Sequence, residues 1–198
     1  MLVLDIEATG LNYQKHSIVS IGAFDFNNPE NRFYEECRIW DGAHIDDEAL
    51  EVNGFTKSEV RDENKMTEPE LMQKFSDWSD TLENRTLVGQ NIATDREMLQ
   101  AAFARAGMNF NFAHRVLDSH TMCWTQMTLA GIKPPFDSEH KRSALNLDAV
   151  LNYCGIPDEP DPHNALTGAL CHGEVVSRLL YNKKLLPEFS EFEIPWLK

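Results

Sequence analysis

The spacing of apolar residues changes along the chain, and this change constrains the fold most. Strand-like segments cover residues 2–6, 17–26 and 33–40, and the turn-rich sequence Asn-Asn-Pro-Glu-Asn separates the last two. Because short loops join these three segments, we interpret them as an antiparallel meander. Beyond the meander the apolar residues recur at helical spacing instead.

The helical part begins at a capping signal. Thr67 and Glu70 match a capping box with a proline between them, and apolar residues then recur at helical spacing from Leu71 to Leu82. A buried strand is predicted at residues 86–90. Further helices are predicted at residues 95–106, 119–130, 146–154 and 164–182. A meander followed by strand–helix alternation predicts an α/β domain with a mixed sheet flanked by helices.

Length and composition predict one compact domain over residues 1–182, with a tail over residues 183–198 packed on its body. A tail that binds a partner is the alternative, because it mixes aromatic with acidic residues. No apolar run approaches the roughly 20 residues of a membrane helix, and the N-terminus lacks the basic region of a signal peptide. The four cysteines form no CxxC pair, which argues against a structural zinc site. Without a secretory signal, we expect reduced, mostly buried thiols in a cytoplasmic protein.

The chain is acidic, with a net charge of −14 and an isoelectric point of about 4.8. This charge excludes the broad basic surface of a protein that binds duplex DNA without regard to sequence. It does not exclude an enzyme of nucleic acids whose carboxylates are matched by metal ions.

Carboxylates stand where the predicted strands end. Asp5 and Glu7 follow the apolar residues 2–4, and their spacing of two places both on one face of the strand. Asp95 begins a helix directly after the strand at residues 86–90, a position where α/β folds place their sites. A divalent cation between such acids would remove their repulsion. The alternatives are that Asp5 and Glu7 face water and that Asp95 only complements the helix dipole.

A histidine at a loop-to-helix boundary completes the set of candidate residues. His163 follows the proline-rich sequence Pro-Asp-Glu-Pro-Asp-Pro, which favours exposure and movement. A histidine that titrates freely beside a cluster of carboxylates is a candidate general base, whereas an isolated histidine is usually structural.

Four segments in the family's order, together with a loop at residues 51–56, resemble the DnaQ-like, or DEDDh, 3′-to-5′ exonucleases of the ribonuclease-H-like fold. Residues 5–11 (DIEATGL) match the D-x-E-T/A-T-G-L motif, and residues 89–99 (GQNIATDREML) match the block that carries the second aspartate. Residues 144–156 resemble the S-L-D-A-L segment, and residues 163–166 (HNAL) match the start of H-x-A-x-x-D. Residues 51–56 (EVNGFT) resemble the V-H-G-I-T loop. The resemblance covers nearly the whole chain and implies a mixed five-stranded sheet.

The resemblance also implies a reaction and a site. Asp5, Glu7 and Asp95 would hold two Mg²⁺ or Mn²⁺ ions, and His163 would act as general base in hydrolysing the phosphodiester at a 3′ end. The expected partner is therefore a nucleic acid with a free 3′ end, with single-stranded DNA or RNA favoured. A protein partner or a homodimer is not indicated, and no membrane is expected. The residues expected to bind the terminal nucleotide are Ala8, Thr9, Gly10, Leu11, Asn53 and Asn91.

One position departs from the family pattern. The last metal-binding aspartate of the family stands five residues after the histidine, where this chain has Gly168. An engineered knock-out, a natural loss of catalysis and a replacement by another side chain would each explain the departure. His172 lies one helical turn beyond Gly168, so we predict that it replaces the aspartate as a metal ligand or lines the cleft. The alternative function is an impaired, exonuclease-like module that binds nucleic-acid ends or a protein.

Overall fold

The computed structural model describes residues 1–197 and contains the predicted mixed sheet of five strands, in the order β3-β2-β1-β4-β5. The pairs β1–β2 and β2–β3 are antiparallel, whereas β1–β4 and β4–β5 are parallel. The expected combination of a meander with parallel strands is therefore confirmed. The strands are β1 (Leu2–Ala8), β2 (Ile18–Asp25), β3 (Asn28–Glu36), β4 (Leu87–Gly89) and β5 (Leu117–Asp118).

Helices flank this sheet on both faces. They are α1 (Asp47–Asn53), α2 (Glu68–Ser79), α3 (Ala93–Arg105), α4 (Ser119–Leu129), α5 (Leu147–Tyr153) and α6 (Ala165–Tyr181). A small hairpin pairs β6 (Phe136–Asp137) with β7 (Arg142–Ser143), and single 3₁₀ turns occur at Glu59–Arg61, Pro187–Phe189 and Pro195–Leu197. None of the helices within residues 1–197 is long and apolar enough to cross a membrane.

Both ends of the third strand and several short elements differ from the sequence prediction. The third strand was expected at residues 33–40, but it covers Asn28–Glu36. It begins early because Asn28 pairs with Asp25 across a tight turn. The prediction also lacked α1, β5 and the β6–β7 hairpin, which are too short to carry a period of their own. The capping box at Thr67 is confirmed, since its hydroxyl accepts from the Glu70 amide and the Glu70 carboxylate accepts from the Thr67 amide.

The alternation of residues along β1 divides the core between the two faces of the sheet. Leu2 and Leu4 are fully buried in the cluster that contains α2 and α3. Val3 lies in the opposite cluster, with Ala169 and Val176 of α6. Since side chains two apart share a face, Asp5 and Glu7 project toward α6.

A fully buried arginine near the end of α6 contacts the C-terminal tail. The Arg178 guanidinium donates to the Glu174 carboxylate at 2.8 Å and to the carbonyls of Cys154, Phe189 and Phe192 at 2.9–3.1 Å. The other carboxylate oxygen of Glu174 accepts from the backbone amides of the tail residues 185 and 186.

Two aromatic rings form a second contact between tail and body. The Trp196 ring stacks on Tyr153 with ring centroids 5.4 Å apart. Lys198, the last residue of the predicted tail, lies outside the described residues.

Replacing Arg178 with methionine should destabilise the protein by about 3–5 kcal/mol, because it leaves the Glu174 carboxylate buried without its cation. Chemical denaturation of both proteins would measure the loss. The matched control is Arg32→Ala, which breaks the partly exposed ion pair with Glu188 of the tail and should cost less than about 1 kcal/mol. Equal losses for the two variants would contradict a central role of Arg178.

Candidate active site

Strand β1 carries two carboxylates into the space beneath α6. Asp5 lies opposite Gly22 of β2, and Glu7 lies opposite Ser20. A Cβ atom built on Gly22 would overlap the backbone of Ala165, so the first turn of α6 rests directly on the sheet. Asp5 is therefore held between the strand and the helix.

Gly168 lies directly above Asp5. A Cβ atom built on Gly168 would overlap the Asp5 carboxylate oxygen Oδ2 and would lie 3.2 Å from Glu159 Oε1. Glu159 belongs to the loop between α5 and α6, and its side chain is only 3% exposed. Sequence reasoning missed Glu159, although an acid four residues before His163 in a proline-rich loop was the available signal.

Asp95 reaches the same place from the first turn of α3. The Ile6 backbone amide forms hydrogen bonds that favour the charged forms of both Asp5 and Asp95. Burial raises the pKa of Asp95 well above its ordinary value, and the Asp5 and Glu7 carboxylates raise it further. The structure thus brings the three predicted acids Asp5, Glu7 and Asp95 close enough to interact strongly.

The electrostatics of this group suit a cation. Burial and the neighbouring Asp5 carboxylate raise the pKa of Glu7 to about 8, against a partial offset from a hydrogen bond with Asn53. Burial also raises the pKa of Asp5, which His172 and His163 lower in part. Within residues 1–197, no three His, Cys, Asp or Glu side chains stand in a ready-made arrangement for a metal ion. The repulsion among the acids and an unpartnered Glu159 Oε1 nevertheless fit one or more divalent cations.

His163 lies at the edge of this group with its side chain 35% exposed. Its backbone amide donates to the Val52 carbonyl, which fixes the main chain. Its ring atom Nδ1 is 3.8 Å from Glu159 Oε2, and Nε2 is 3.8 Å from Asp161 Oδ1. Both separations exceed hydrogen-bond length, so neither carboxylate fixes the ring by a hydrogen bond.

His172 is buried beneath the site and already has a partner. Its ring atom Nδ1 lies 3.1 Å from the Leu4 carbonyl, next to Asp5 in the chain. The three atoms nearest to a Cβ atom built on Gly168 belong to Asp5 and Glu159, and none belongs to His172. The role of His172 as a metal ligand stays a prediction.

Two cavities of about 780 and 760 Å³ adjoin the acids, and Leu11 lines both of them. The Leu11 side chain is 85% exposed and has no packing role that would explain this position. Both cavities also reach the predicted residue Asp95. They reach Thr94 as well, a residue that sequence reasoning did not single out. The predicted residues Ala8, Gly10 and Asn53 line the first cavity, and Asn91 lines the second.

Not every residue of the predicted binding loop faces a cavity. Thr9 is fully buried, and its hydroxyl donates to the His44 carbonyl while accepting from the Ser17 amide. Gly10 has φ +151°, and Asp46 and His16 leave no room there for a side chain. Thr9 and Gly10 therefore shape the loop that presents Ala8 and Leu11.

Asn53 supports this strand end from α1. Its side-chain amide donates to the Ala8 carbonyl at 3.1 Å and also bonds to the Glu7 carboxylate. Its exposed fraction is 5%, so it lies behind the carboxylates at the wall of the cavity.

Comparison with known proteins agrees with this geometry. Residues 2–170 match the sequence profile of the exonuclease family named after RNase T. No curated protein sequence matches the chain significantly.

Solved structures share the fold at low sequence identity. E. coli Exonuclease I in complex with a dT13 oligonucleotide superimposes with a TM-score of 0.71 and 17% identity, over 96% of this chain and 42% of that one. The nuclease domain of 3′hExo, a DEDDh family member bound to rAMP, gives 0.69 and 18%, over 93% of both chains. Cell-death related nuclease 4 gives 0.72 and 14%, over 92% of this chain and 64% of that one.

The protein belongs to the exonuclease family, and the DnaQ-like resemblance indicated by its motifs is confirmed. Its fold is that of the ribonuclease-H-like exonucleases. The chain spans less than half the length of Exonuclease I, so only the nuclease fold is shared with that larger protein.

The raised pKa values of the acids predict how metal-free stability depends on pH. Glu7 and Glu159 hold their protons up to about pH 8 in the folded state, whereas in the unfolded chain they release them near pH 4.5. Stability should therefore fall as pH rises from about 5.5 to 8, lowering the melting temperature by roughly 10 °C or more.

Melting curves in chelator at each pH would measure this slope. The variant Glu7→Gln should flatten it, and the exposed Glu63→Gln should leave it unchanged. A melting temperature that rises across this range would contradict the crowding of acids at the site.

Proposed function

We propose that this protein is a metal-dependent exonuclease that hydrolyses the terminal phosphodiester at the 3′ end of DNA or RNA. The observation that carries the proposal is the convergence of Asp5, Glu7 and Asp95, of which Glu7 and Asp95 line a cleft, with the half-exposed His163 close to Asp5. Structural acids of a folded core would be paired with cations of the chain. These acids instead repel one another at a cavity wall.

The three carboxylates would hold two divalent ions, Mg²⁺ or Mn²⁺. Oxygen ligands from aspartate and glutamate are the donors that these ions prefer. When bound, such ions would supply activation of the attacking water and stabilisation of the leaving oxygen. The three carboxylates would hold them, and the Asn53 amide holds the Glu7 carboxylate in place.

His163 would act as the general base. Its ring has no hydrogen bond that fixes it within residues 1–197, and it faces the same group of acids. A neutral imidazole takes the proton of the attacking water as that oxygen bonds to phosphorus. The bond from phosphorus to the 3′ oxygen of the preceding nucleotide then breaks, and the terminal mononucleotide is released.

The cleft suits one or two nucleotides of a single strand. Leu11 projects between the two cavities, where an apolar side chain contacts a base face without selecting its identity. Ala8, Asn53 and Asn91 are the proposed neighbours of the terminal sugar and phosphate. The oligonucleotide and the nucleotide bound by the structural relatives support a nucleic-acid end as the substrate.

Gly168 favours a second candidate, an impaired module that binds nucleic-acid ends without cutting them. Release of mononucleotides from a 3′-labelled single strand, with Mg²⁺ or Mn²⁺ and with chelator, would decide between the two. Label released only in the presence of metal supports the enzyme. Retention of the label in a stable complex under all conditions supports the binding module.

The variant His163→Ala should lower turnover roughly 100-fold or more, because it removes the base without disturbing the core. Its melting temperature should stay close to that of the parent, because the ring nitrogens lie 3.8 Å from the Glu159 and Asp161 carboxylates, which is beyond hydrogen-bond length. The exposed His114→Ala is the control and should keep full activity. Loss of folding in place of activity would assign His163 a structural role.

Binding of single strands should depend only weakly on salt. The acidic surface leaves room for about two to four phosphate contacts near the 3′ end, at about −0.7 in log–log slope for each contact. The expected slope is therefore about −1.4 to −2.8, measured by fluorescence anisotropy of a labelled oligonucleotide in Ca²⁺ or with an inactive variant. A slope steeper than about −5 would require an extended basic surface.

A further inference from the structure

The position of the missing family aspartate has no space for a side chain. Helix α6 lies so close to β1 that even a Cβ atom at Gly168 would overlap the Asp5 carboxylate. Asp5 is only partly exposed and has the Ile6 amide as a partner, so it has little freedom to give way. The glycine is therefore a packing requirement of this chain, and a carboxylate has to come from elsewhere if the site is to keep four.

Glu159 approaches this position from the loop that precedes α6. Its side chain is 97% buried, since only 3% is exposed. Its Oε1 atom lies 3.2 Å from the position that a Cβ atom built on Gly168 would take. The same Cβ atom would overlap the Asp5 carboxylate, so Glu159 Oε1 and Asp5 border one position. The same Oε1 atom has no hydrogen-bond partner among residues 1–197. A buried carboxylate oxygen without a partner is costly, and such atoms in native proteins usually await an ion or water.

The backbone of the loop fixes Glu159 in this orientation. The Glu159 amide donates to Asp148 Oδ1 at 3.3 Å, and Asp148 belongs to the first turn of α5. Four residues further on, the His163 amide donates to the Val52 carbonyl. Both ends of the short segment are thus attached to the body of the domain.

We propose that Glu159 is the fourth carboxylate of the metal site and replaces, from a different position in the chain, the family aspartate that Gly168 excludes. This inference rests on the proposed metal-dependent function. On this proposal, the departure at Gly168 is a rearrangement of the site. Helix α6 packs directly on β1 at Gly168, and the loop before α6 supplies the acid. Glu159 fits the position better than His172, because its Oε1 atom is among the three atoms nearest to the Cβ position of residue 168 and no His172 atom is.

Direct metal binding by the full chain tests the proposal without relying on activity. Mn²⁺ titrations followed by electron paramagnetic resonance or calorimetry would be made on the parent protein and on three variants. Glu159→Gln keeps the shape and removes the charge, Asp5→Asn removes a predicted ligand, and Asp158→Asn changes the exposed neighbouring acid. We expect Mn²⁺ affinity to fall roughly tenfold or more in Glu159→Gln and in Asp5→Asn, and to be unchanged in Asp158→Asn.

The outcomes separate this inference from the proposed function. If the parent protein binds no Mn²⁺, both are overturned. If Asp5→Asn weakens binding and Glu159→Gln does not, the metal site stands and the fourth-ligand proposal is wrong. An unchanged Mn²⁺ affinity together with a shifted pH profile of activity in Glu159→Gln would make Glu159 a positioning residue for His163, whose Nδ1 is 3.8 Å away, and would also overturn the proposal.

Two further measurements guard against a folding artefact and a rival ligand. Glu159→Gln should melt no lower than the parent in chelator, because the amide keeps the shape of the side chain and cannot ionise beside Asp5 and Glu7. His172→Gln retains a donor for the Leu4 carbonyl, and a loss of Mn²⁺ affinity in this variant alone would assign the fourth position to His172. Gly168→Asp should weaken Mn²⁺ binding through displacement of Asp5, and tighter binding would contradict the packing argument.

Discussion

The close approach of α6 to the sheet is the contact on which the site depends. Glycines permit it at three places: Gly22 under Ala165, Gly168 over Asp5, and Gly173 against the Phe24 ring. A Cβ atom at any of the three would overlap its neighbour, so the helix could not lie where it does. Because α6 lies so near, Asp5 is partly screened from water. The loop before the helix brings Glu159 and His163 to the end of β1.

Such a site opposes the stability of the fold that holds it. Burial of several carboxylates in one place disfavours their charged forms, and their mutual repulsion adds to this cost. The rest of the domain offsets the cost with well-paired ions, as in the Glu174–Arg178 pair and in Glu68, which Arg105 contacts through two nitrogens at 2.7–2.8 Å. Of the repelling acids, Glu7 and Asp95 line a cavity.

Local signals explain how much of the fold followed from the sequence. The capping box at Thr67 is confirmed, because it depends on side chains within three residues of the helix start. The same short range applies to Asp118, which caps α4, and to Asn146, which caps α5. Short elements such as β5 form only because a neighbouring strand pairs with them.

The sequence alone determined the alternation that puts Asp5 and Glu7 on one face of a buried strand, because successive side chains of a strand point to opposite faces. It also placed Asp95 at a helix start and His163 before another, since capping and turn residues act over a few positions. Only the tertiary structure decided that Gly168 leaves no room above Asp5 and that Glu159 fills the adjoining space. That outcome depends on how closely a helix packs on a sheet, which is a sum of many distant contacts and has no local signature in the chain.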